Sequence, residues 1–282
     1  MKQNIGVSNK TIQARLFLVG SPRSGTTLLQ SVLAAHPQIA SFPESHFLLV
    51  TSRTRRGRWM RKLGLVSPEM RLRLAQFLDE IGRPECRSLF PQRDIRLKSF
   101  TTAFVKLLDR LTLAQGKNIW LEKTPGHLYY INDFERYIPE AKFIHLVRNG
   151  ADVVASLYEV TNQYPQDWGR AYDLERCIRT WNQAVKRTEK QLGKPNHIGV
   201  RYEALIAHPE QILSELCHGI GVSFEPTMLS DYRERAKHLI LAHETWKEAV
   251  TSEIHKPNKR KFLTIFTPEE QSYILERLRR KA

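Results

Sequence analysis

The chain has 282 residues, of which 41% are hydrophobic and 26% charged, a composition that supports a buried core and excludes disordered and collagen-like classes. Its 44 Lys and Arg against 29 Asp and Glu leave a formal charge of +15, a surplus that favours polyanionic partners or simply solvates the surface. The three cysteines, Cys86, Cys177 and Cys217, are odd in number and lack metal-ligand spacing, which points away from a disulfide framework or a zinc site and toward a reducing compartment.

In chain order, residues 1–14 read as a polar, flexible arm, without the apolar stretch of a leader peptide. No apolar run reaches bilayer-spanning length, so a soluble, cytoplasmic protein without a transmembrane segment is expected. "RLFLVG" (Arg15 to Gly20) reads as a short buried strand ending in a glycine-rich turn. Leu28, Leu29, Val32 and Leu33 then recur at helical spacing, and Pro37 closes that helix. "QIASF" (Gln38 to Phe42) is a second strand, stopping just before Pro43 and Glu44.

From Phe47 to Gly116 the pattern is helical but irregular and includes the basic run from Arg53 to Lys62. This reads as an inserted helical cap. "NIWLEKTP" is a strand stopped by Pro125, and "AKFIHLVRNGADVVASLY" is strand, turn and helix with its boundary near Asn149. A helix from about Trp168 to Leu192, the strand in "HIGVRYEAL" and further helices complete the chain. Without repeats or linkers, residues 1–282 read as one domain.

Strands alternating with helices predict an α/β, three-layer fold with a mainly parallel central sheet. Ligands of such sheets bind beyond the carboxyl ends of the strands. That rule gathers Ser21 to Thr27, Glu44, Lys123 to His127 and Arg148 onto one rim.

"LFLVGSPRSGTTLLQ" nearly spells the phosphate-binding pattern G-x-x-x-x-G-K-S/T. Gly20, Gly25 and Thr27 fit, but Thr26 stands where the lysine belongs. Backbone N–H groups of Ser24, Gly25, Thr26 and Thr27 at a helix start suit a tetrahedral anion with or without that lysine, and Arg23 supplies a cation inside the loop. A tight turn without a ligand is the alternative for this stretch taken alone.

"GSPRSGTTLL" resembles the 5′-phosphosulfate loop of sulfotransferases that use 3′-phosphoadenosine 5′-phosphosulfate (PAPS), in the branch that includes tyrosylprotein sulfotransferases and many bacterial enzymes. The resemblance implies a P-loop-like fold, transfer of a sulfuryl group to a hydroxyl or amine, release of adenosine 3′,5′-bisphosphate (PAP), and no metal. "HLVRNGADVVASLY" resembles the family's 3′-phosphate segment and implies that role for Arg148 and Ser156. "VRYEALIAHPEQIL" is similar to a segment that sets a tyrosine near the nucleotide, here Tyr202. "HKPNKRKF" loosely resembles the basic segment over the 3′-phosphate, with Lys256, Lys259, Arg260 and Lys261 as candidates.

Sulfuryl transfer needs a base for the acceptor proton and cations for charge on the leaving oxygen. The resemblance implies Glu44, in "SFPESHF", as the base, with His46 and His127 as fallback bases and a helix cap as the alternative role of Glu44. Lys123, in "EKTP", resembles a lysine that joins Arg23 in assisting the leaving group; a structural pairing with Glu122 is the alternative, against which strand alternation sets the two side chains on opposite faces. The acceptor, a small molecule, saccharide or peptide, is left open, as is the oligomeric state.

The run from Arg53 to Lys62 suits an acidic acceptor, an anionic surface or a solvated helix face. Trp59, Phe77, Phe90, Phe104, Tyr129 and Tyr130 suit an apolar pocket or the core. Two rivals stand beside this reading: a P-loop kinase-like phosphotransferase, which predicts the missing lysine and an acidic Mg²⁺ ligand, and a non-catalytic polyanion-binding relative. No nucleic-acid-binding motif accompanies the charge.

Overall fold

The computed structural model describes residues 11–52, 54–241, 244 and 260–278. The first half of the chain forms β1 (Ala14–Gly20), α1 (Thr26–Ala34), β2 (Ile39–Ser41), α2 (Arg55–Lys62), α3 (Pro68–Glu80), α4 (Leu97–Ala114), β3 (Ile119–Lys123) and α5 (Ile131–Tyr137). The second half forms β4 (Lys142–Val147), α6 (Gly150–Gln163), α7 (Leu174–Glu189), β5 (His197–Arg201), α8 (Tyr202–Ala207), α9 (Pro209–Ile220), α10 (Thr227–Ser230), α11 (Tyr232–Leu239), α12 (Arg260–Ile265) and α13 (Pro268–Arg277). Short 3-10 turns cover Leu49–Ser52, Pro84–Leu89 and Pro125–Tyr130.

The sheet has five strands, in the order β2-β3-β1-β4-β5, all parallel. β1 is central, with Leu18 opposite Lys123 of β3 and Gly20 opposite Leu146 of β4. Its side chains alternate between two cores, as period-two geometry requires. Phe17 and Val19 join a core with Phe47, Phe77, Phe104, Trp120, Phe134 and Phe143, whereas Leu16 and Leu18 join one with Leu29, Leu33, Leu213, Leu216 and Tyr232. A third apolar cluster ties α6 and α7 to α12 through Val153, Leu157, Trp181, Phe262 and Phe266. The predicted α/β three-layer arrangement is therefore present, with every strand end aimed at one rim.

Several boundaries differ from the sequence reading, each for a local reason. Gln13, expected in the arm, donates its N–H to the Asn118 carbonyl at 2.8 Å, and Ala14 opens β1. α1 ends at Ala34 with Ala35 as its C-cap, two residues before the Pro37 expected to close it, and Lys117 Nζ donates to the Ile39 carbonyl at 2.6 Å and to that of His36 at 3.3 Å. α7 begins at Leu174, not near Trp168, because the Asp173 carboxylate caps it, accepting the Arg176 N–H at 2.7 Å.

The helical segment between β2 and β3 covers one face of the sheet rather than standing apart from it. Phe77, Phe90, Phe104 and Tyr130 lie in the shared core and Tyr129 packs against it, while Trp59 is exposed. Among the described residues no helix is long and apolar enough to cross a membrane.

β4 and β5 are also joined through side chains. His145 and His197 share a hydrogen bond at 2.8 Å, and His197 Nε2 meets Glu135 at 3.0 Å. Burial pushes His145 from its ordinary 6.5 down to about 3. The unfolded chain then binds more protons between those values, so stability falls as the pH drops through that window and is unaffected above it. Urea unfolding followed against pH should show this loss, and His145→Gln should reduce it, leaving the share that the lowered His46 and His197 contribute. At the end of β1, a Cβ on Gly20 would sit 2.5 Å from the Leu146 carbonyl oxygen. Gly20→Ala should therefore lower the urea midpoint, by about 1–3 kcal/mol of stability.

Candidate active site

The turn from β1 into α1 is built around two left-handed residues, Arg23 at φ 69° and Gly25 at φ 92°. Gly25 is the N-cap of α1 and offers no side chain, so the first-turn N–H groups carry no side-chain cap and present the positive end of the helix. A Cβ at Gly25 would fall 2.4 Å from Cε2 of Tyr202, so the Tyr202 ring closes over the loop only because this residue is glycine. The Ser24 hydroxyl is buried and has no hydrogen-bond partner.

Two guanidinium groups converge on this loop. Arg23 Nε donates to Ser156 Oγ at 3.1 Å, and Arg148 lies 4.5 Å from the Tyr202 ring centroid and 3.8 Å from the Asp152 carboxylate. Arg148 Nη1 is 3.5 Å from the Arg23 carbonyl, and its Nε is buried without a partner. Burial, and then the charge of Arg148, lower the Arg23 guanidinium below its ordinary pKa. Paired cations, an uncapped helix start and orphaned donors together make a site that an anion would relieve.

The second half of the site begins where β3 ends. Lys123 is buried, with Nζ 2.5 Å from Glu44 Oε1 and 3.3 Å from Thr27 Oγ1. Glu44 lies in the turn after β2, and its Oε2 is 3.5 Å from His46 Nε2. It caps no helix; the chain beyond it enters the short turn at Leu49–Ser52. Burial pushes His46 down to about 4, which leaves it neutral near pH 7, and its Nδ1 is buried without a partner. His46 has φ 51°, and among the described residues it and Arg23 are the non-glycine residues with positive φ. Such conformations cost on the order of 1–3 kcal/mol each and concentrate at functional sites.

The turn that carries Glu44 is held from two sides. Beneath it, Glu122 is fully buried and accepts hydrogen bonds from Ser45 Oγ at 2.6 Å, Ser45 N at 3.2 Å and Thr124 Oγ1 at 2.6 Å, while His127 Nδ1 lies at 2.9 Å. Burial raises the Glu122 carboxyl, but His127 and the two hydroxyls outweigh it and hold the group below the usual carboxylate range. Above it, Arg73 of α3 donates to the carbonyls of Glu44 at 2.8 Å and Ser45 at 3.0 Å, and is gripped by both oxygens of Glu80 at 2.6 and 2.7 Å.

The structure thus brings Arg23, Ser24, Gly25, Thr26, Thr27, Arg148, Ser156 and Tyr202 together around one loop, with Glu44 and Lys123 joined to it through Thr27. His127 is locked to Glu122 instead of facing Glu44. Lys256 and Lys259 lie outside the described residues, as does the side chain of Arg260, while Lys261 pairs with Glu159. Arg73 and Ser45 are absent from the sequence reading, and Glu122, weighed there as a partner of Lys123, instead gathers Ser45, Thr124 and His127 while Lys123 pairs with Glu44. Arg73 acts through backbone carbonyls, which leave no trace in a sequence, and strand alternation placed Glu122 on the face opposite Lys123 without naming its partners.

Comparison with known proteins bears on this arrangement. A protein-tyrosine sulfotransferase 2 from Gallus gallus is 26% identical over 218 residues, covering 76% of this chain and 53% of that protein. The nodulation protein NoeE of Sinorhizobium fredii is 27% identical, covering 73% of this chain and 49% of that one. The chain therefore spans about half the length of these relatives. The sulfotransferase domain of a Synechococcus olefin synthase superposes with a TM-score of 0.61 at 23% identity, covering 95% of each chain. A mouse sulfotransferase complexed with PAP superposes with a TM-score of 0.53 at 14% identity, covering 95% of this chain and 84% of that one. These two likenesses show a shared fold. The sequence profile of the Sulfotransferase family matches residues 15–226, from β1 to the start of α10. The chain belongs to the Sulfotransferase family.

Proposed function

We propose that this chain is a PAPS-dependent sulfotransferase that transfers a sulfuryl group to an acceptor hydroxyl or amine. The observation that carries this reading is the loop itself: Arg23 and Arg148 side by side at an uncapped helix start, with Ser24 Oγ and Arg148 Nε buried and unpartnered. These donors fit a ligand with separate anionic groups, and PAPS has such groups at its 5′ and 3′ ends. A sulfotransferase of the same fold crystallised with PAP supports the choice of nucleotide.

Arg23, Ser24, Gly25, Thr26 and Thr27 hold the 5′-phosphosulfate, and Arg148 and Ser156 hold the 3′-phosphate, beside the ring of Tyr202. Lys259 and Arg260 are assigned to the same phosphate by their motif. When bound, PAPS supplies the sulfuryl group and departs as PAP. Glu44 accepts the acceptor's proton, within a turn that Glu122 and Arg73 keep from drifting. Lys123 and Arg23 offset negative charge on the leaving oxygen, a role these side chains fill without a metal ion. His46, pushed down to about 4 by burial, is a weaker base than an ordinary imidazole and stands as a neighbour of Glu44, with Nε2 3.5 Å from Oε2.

The segment 47–116, within a single domain, shapes the acceptor side: Leu49 packs on Gly126 next to the Glu44 turn. Similarity to protein-tyrosine sulfotransferases supports a tyrosyl hydroxyl as the first acceptor to assay, ahead of saccharides and small molecules. The cysteines are all free thiols, which supports a reducing, cytoplasmic setting.

Calorimetric titration with PAP and, separately, with ATP–Mg²⁺ tests the reading. PAP should bind and ATP–Mg²⁺ should not compete, and Arg148→Ala should weaken PAP by about 1.5–3 kcal/mol, the usual worth of a hydrogen bond to a charged group. Preference for ATP–Mg²⁺, or indifference to Arg148, would return the loop to the kinases. With labelled PAPS and acidic tyrosine peptides, Glu44→Gln should lower kcat by about 10²–10⁴ while leaving PAP affinity within a few-fold of wild type. Equal turnover in that variant would remove Glu44 as the base.

A further inference from the structure

The helical segment on the first face of the sheet presents an outer surface that its own packing does not use. α2 contains no acidic residue, and Arg55, Arg56, Arg58 and Lys62 are all exposed. Between these cations stand Trp59, 62% exposed, and Leu63, 54% exposed, four residues apart and so on one side of the helix. The opposite side is firmly held. Thr54 caps the helix by accepting the Gly57 N–H at 2.9 Å, and Arg61 pairs with Asp133 of α5 at 2.5 Å while lying 5.0 Å from the Tyr130 ring centroid. A fixed inner side leaves the cationic, apolar side permanently outward.

A second stretch of chain enlarges this surface. The Leu97 N–H donates to the Gly64 carbonyl at 2.6 Å and the Val66 N–H to that of Ile95 at 2.8 Å, an antiparallel bridge centred on Leu65 and Arg96. It sets Ile95, 51% exposed, and the exposed Lys98 beside the end of α2. Arg96 is matched by Asp94 at 2.7 Å and the Glu69 carboxylate feels the charge of Arg56, whereas among the described residues Arg55, Arg56, Lys62 and Lys98 make no ion pair within 4.0 Å.

We propose that this surface docks the protein on an anionic lipid membrane, with Trp59 and Leu63 entering the headgroup region and the surrounding cations meeting the lipid phosphates. Charge complementarity alone would suit any polyanion. The lipid interface is favoured because a tryptophan and leucine exposed on a rigid helix flanked by arginines match both halves of that environment. The inference does not depend on which reaction the rim performs.

Cosedimentation with phosphatidylcholine vesicles, and with vesicles of equal phosphatidylcholine and phosphatidylglycerol, tests it. The wild-type chain should bind the mixed vesicles only. Arg55→Glu with Arg56→Glu should weaken binding by roughly thirtyfold or more, corresponding to about 1 kcal/mol per basic side chain, and Trp59→Ser with Leu63→Ser by about tenfold. Arg235→Glu with Lys237→Glu, in α11 on the other face of the sheet, should leave binding nearly unchanged. Unaltered thermal unfolding in each variant separates lost binding from lost fold. The proposal is overturned by failure to bind the mixed vesicles, or by an equal loss in the α11 variant, which would show attraction to net charge alone. It is likewise overturned if the Trp59 and Leu63 changes have no effect; binding to soluble polyglutamate would then mark the patch as a polyanion site.

Discussion

A carboxylate with no access to water must be surrounded by donors, and the rim of this sheet is arranged around that requirement at Glu122. Its oxygens are met by Ser45 from the turn after β2, by Thr124 from the end of β3 and by His127 from the 3-10 turn that follows. Two pieces of chain far apart in sequence, the turn at Ser45 and the stretch from Glu122 to His127, are thereby pinned at one point. Because Ser45 is held, its neighbour Glu44 has a defined position, and because strand side chains alternate, Lys123 is delivered to the other side of β3, against Glu44 and Thr27.

The loop before α1 poses the complementary problem, an excess of positive charge. Arg23 is buried beside Arg148, and the helix start between them is uncapped. Among the described residues this is met in part by the Ser156 hydroxyl, the face of Tyr202, the Asp152 carboxylate at 3.8 Å and the charges of Glu159 and Glu44. The left-handed conformations of Arg23 and His46 are consistent with strain held at a working site by the packing around it.

The helical segment between β2 and β3 serves both sides of its own thickness. Inward, Phe47, Phe77 and Phe104 complete the core over β1 and β3, with the rings of Phe47 and Phe104 stacked at 4.2 Å. Inward too, Arg73 of α3 reaches the carbonyls of the Glu44 turn. Outward, α2 gathers arginine, lysine and tryptophan that contribute nothing to the core. A single segment therefore closes the fold, steadies one edge of the rim and presents a cationic helix face.

The local pattern of the chain was enough to place the sheet, its parallel sense and the rim residues, because strand ends, glycines and helical spacing are written in neighbouring letters. Arg23, Arg148 and Ser156 were legible for the same reason, as parts of contiguous motifs. Boundaries set by contacts between distant segments were not, as the Gln13 N–H paired with the Asn118 carbonyl at the start of β1 shows. The support of Glu44 by Glu122 and Arg73 lay wholly outside the reach of sequence. A hydrogen bond to a backbone carbonyl needs no particular residue at the acceptor, and the partners of a buried carboxylate are chosen by the fold that surrounds it.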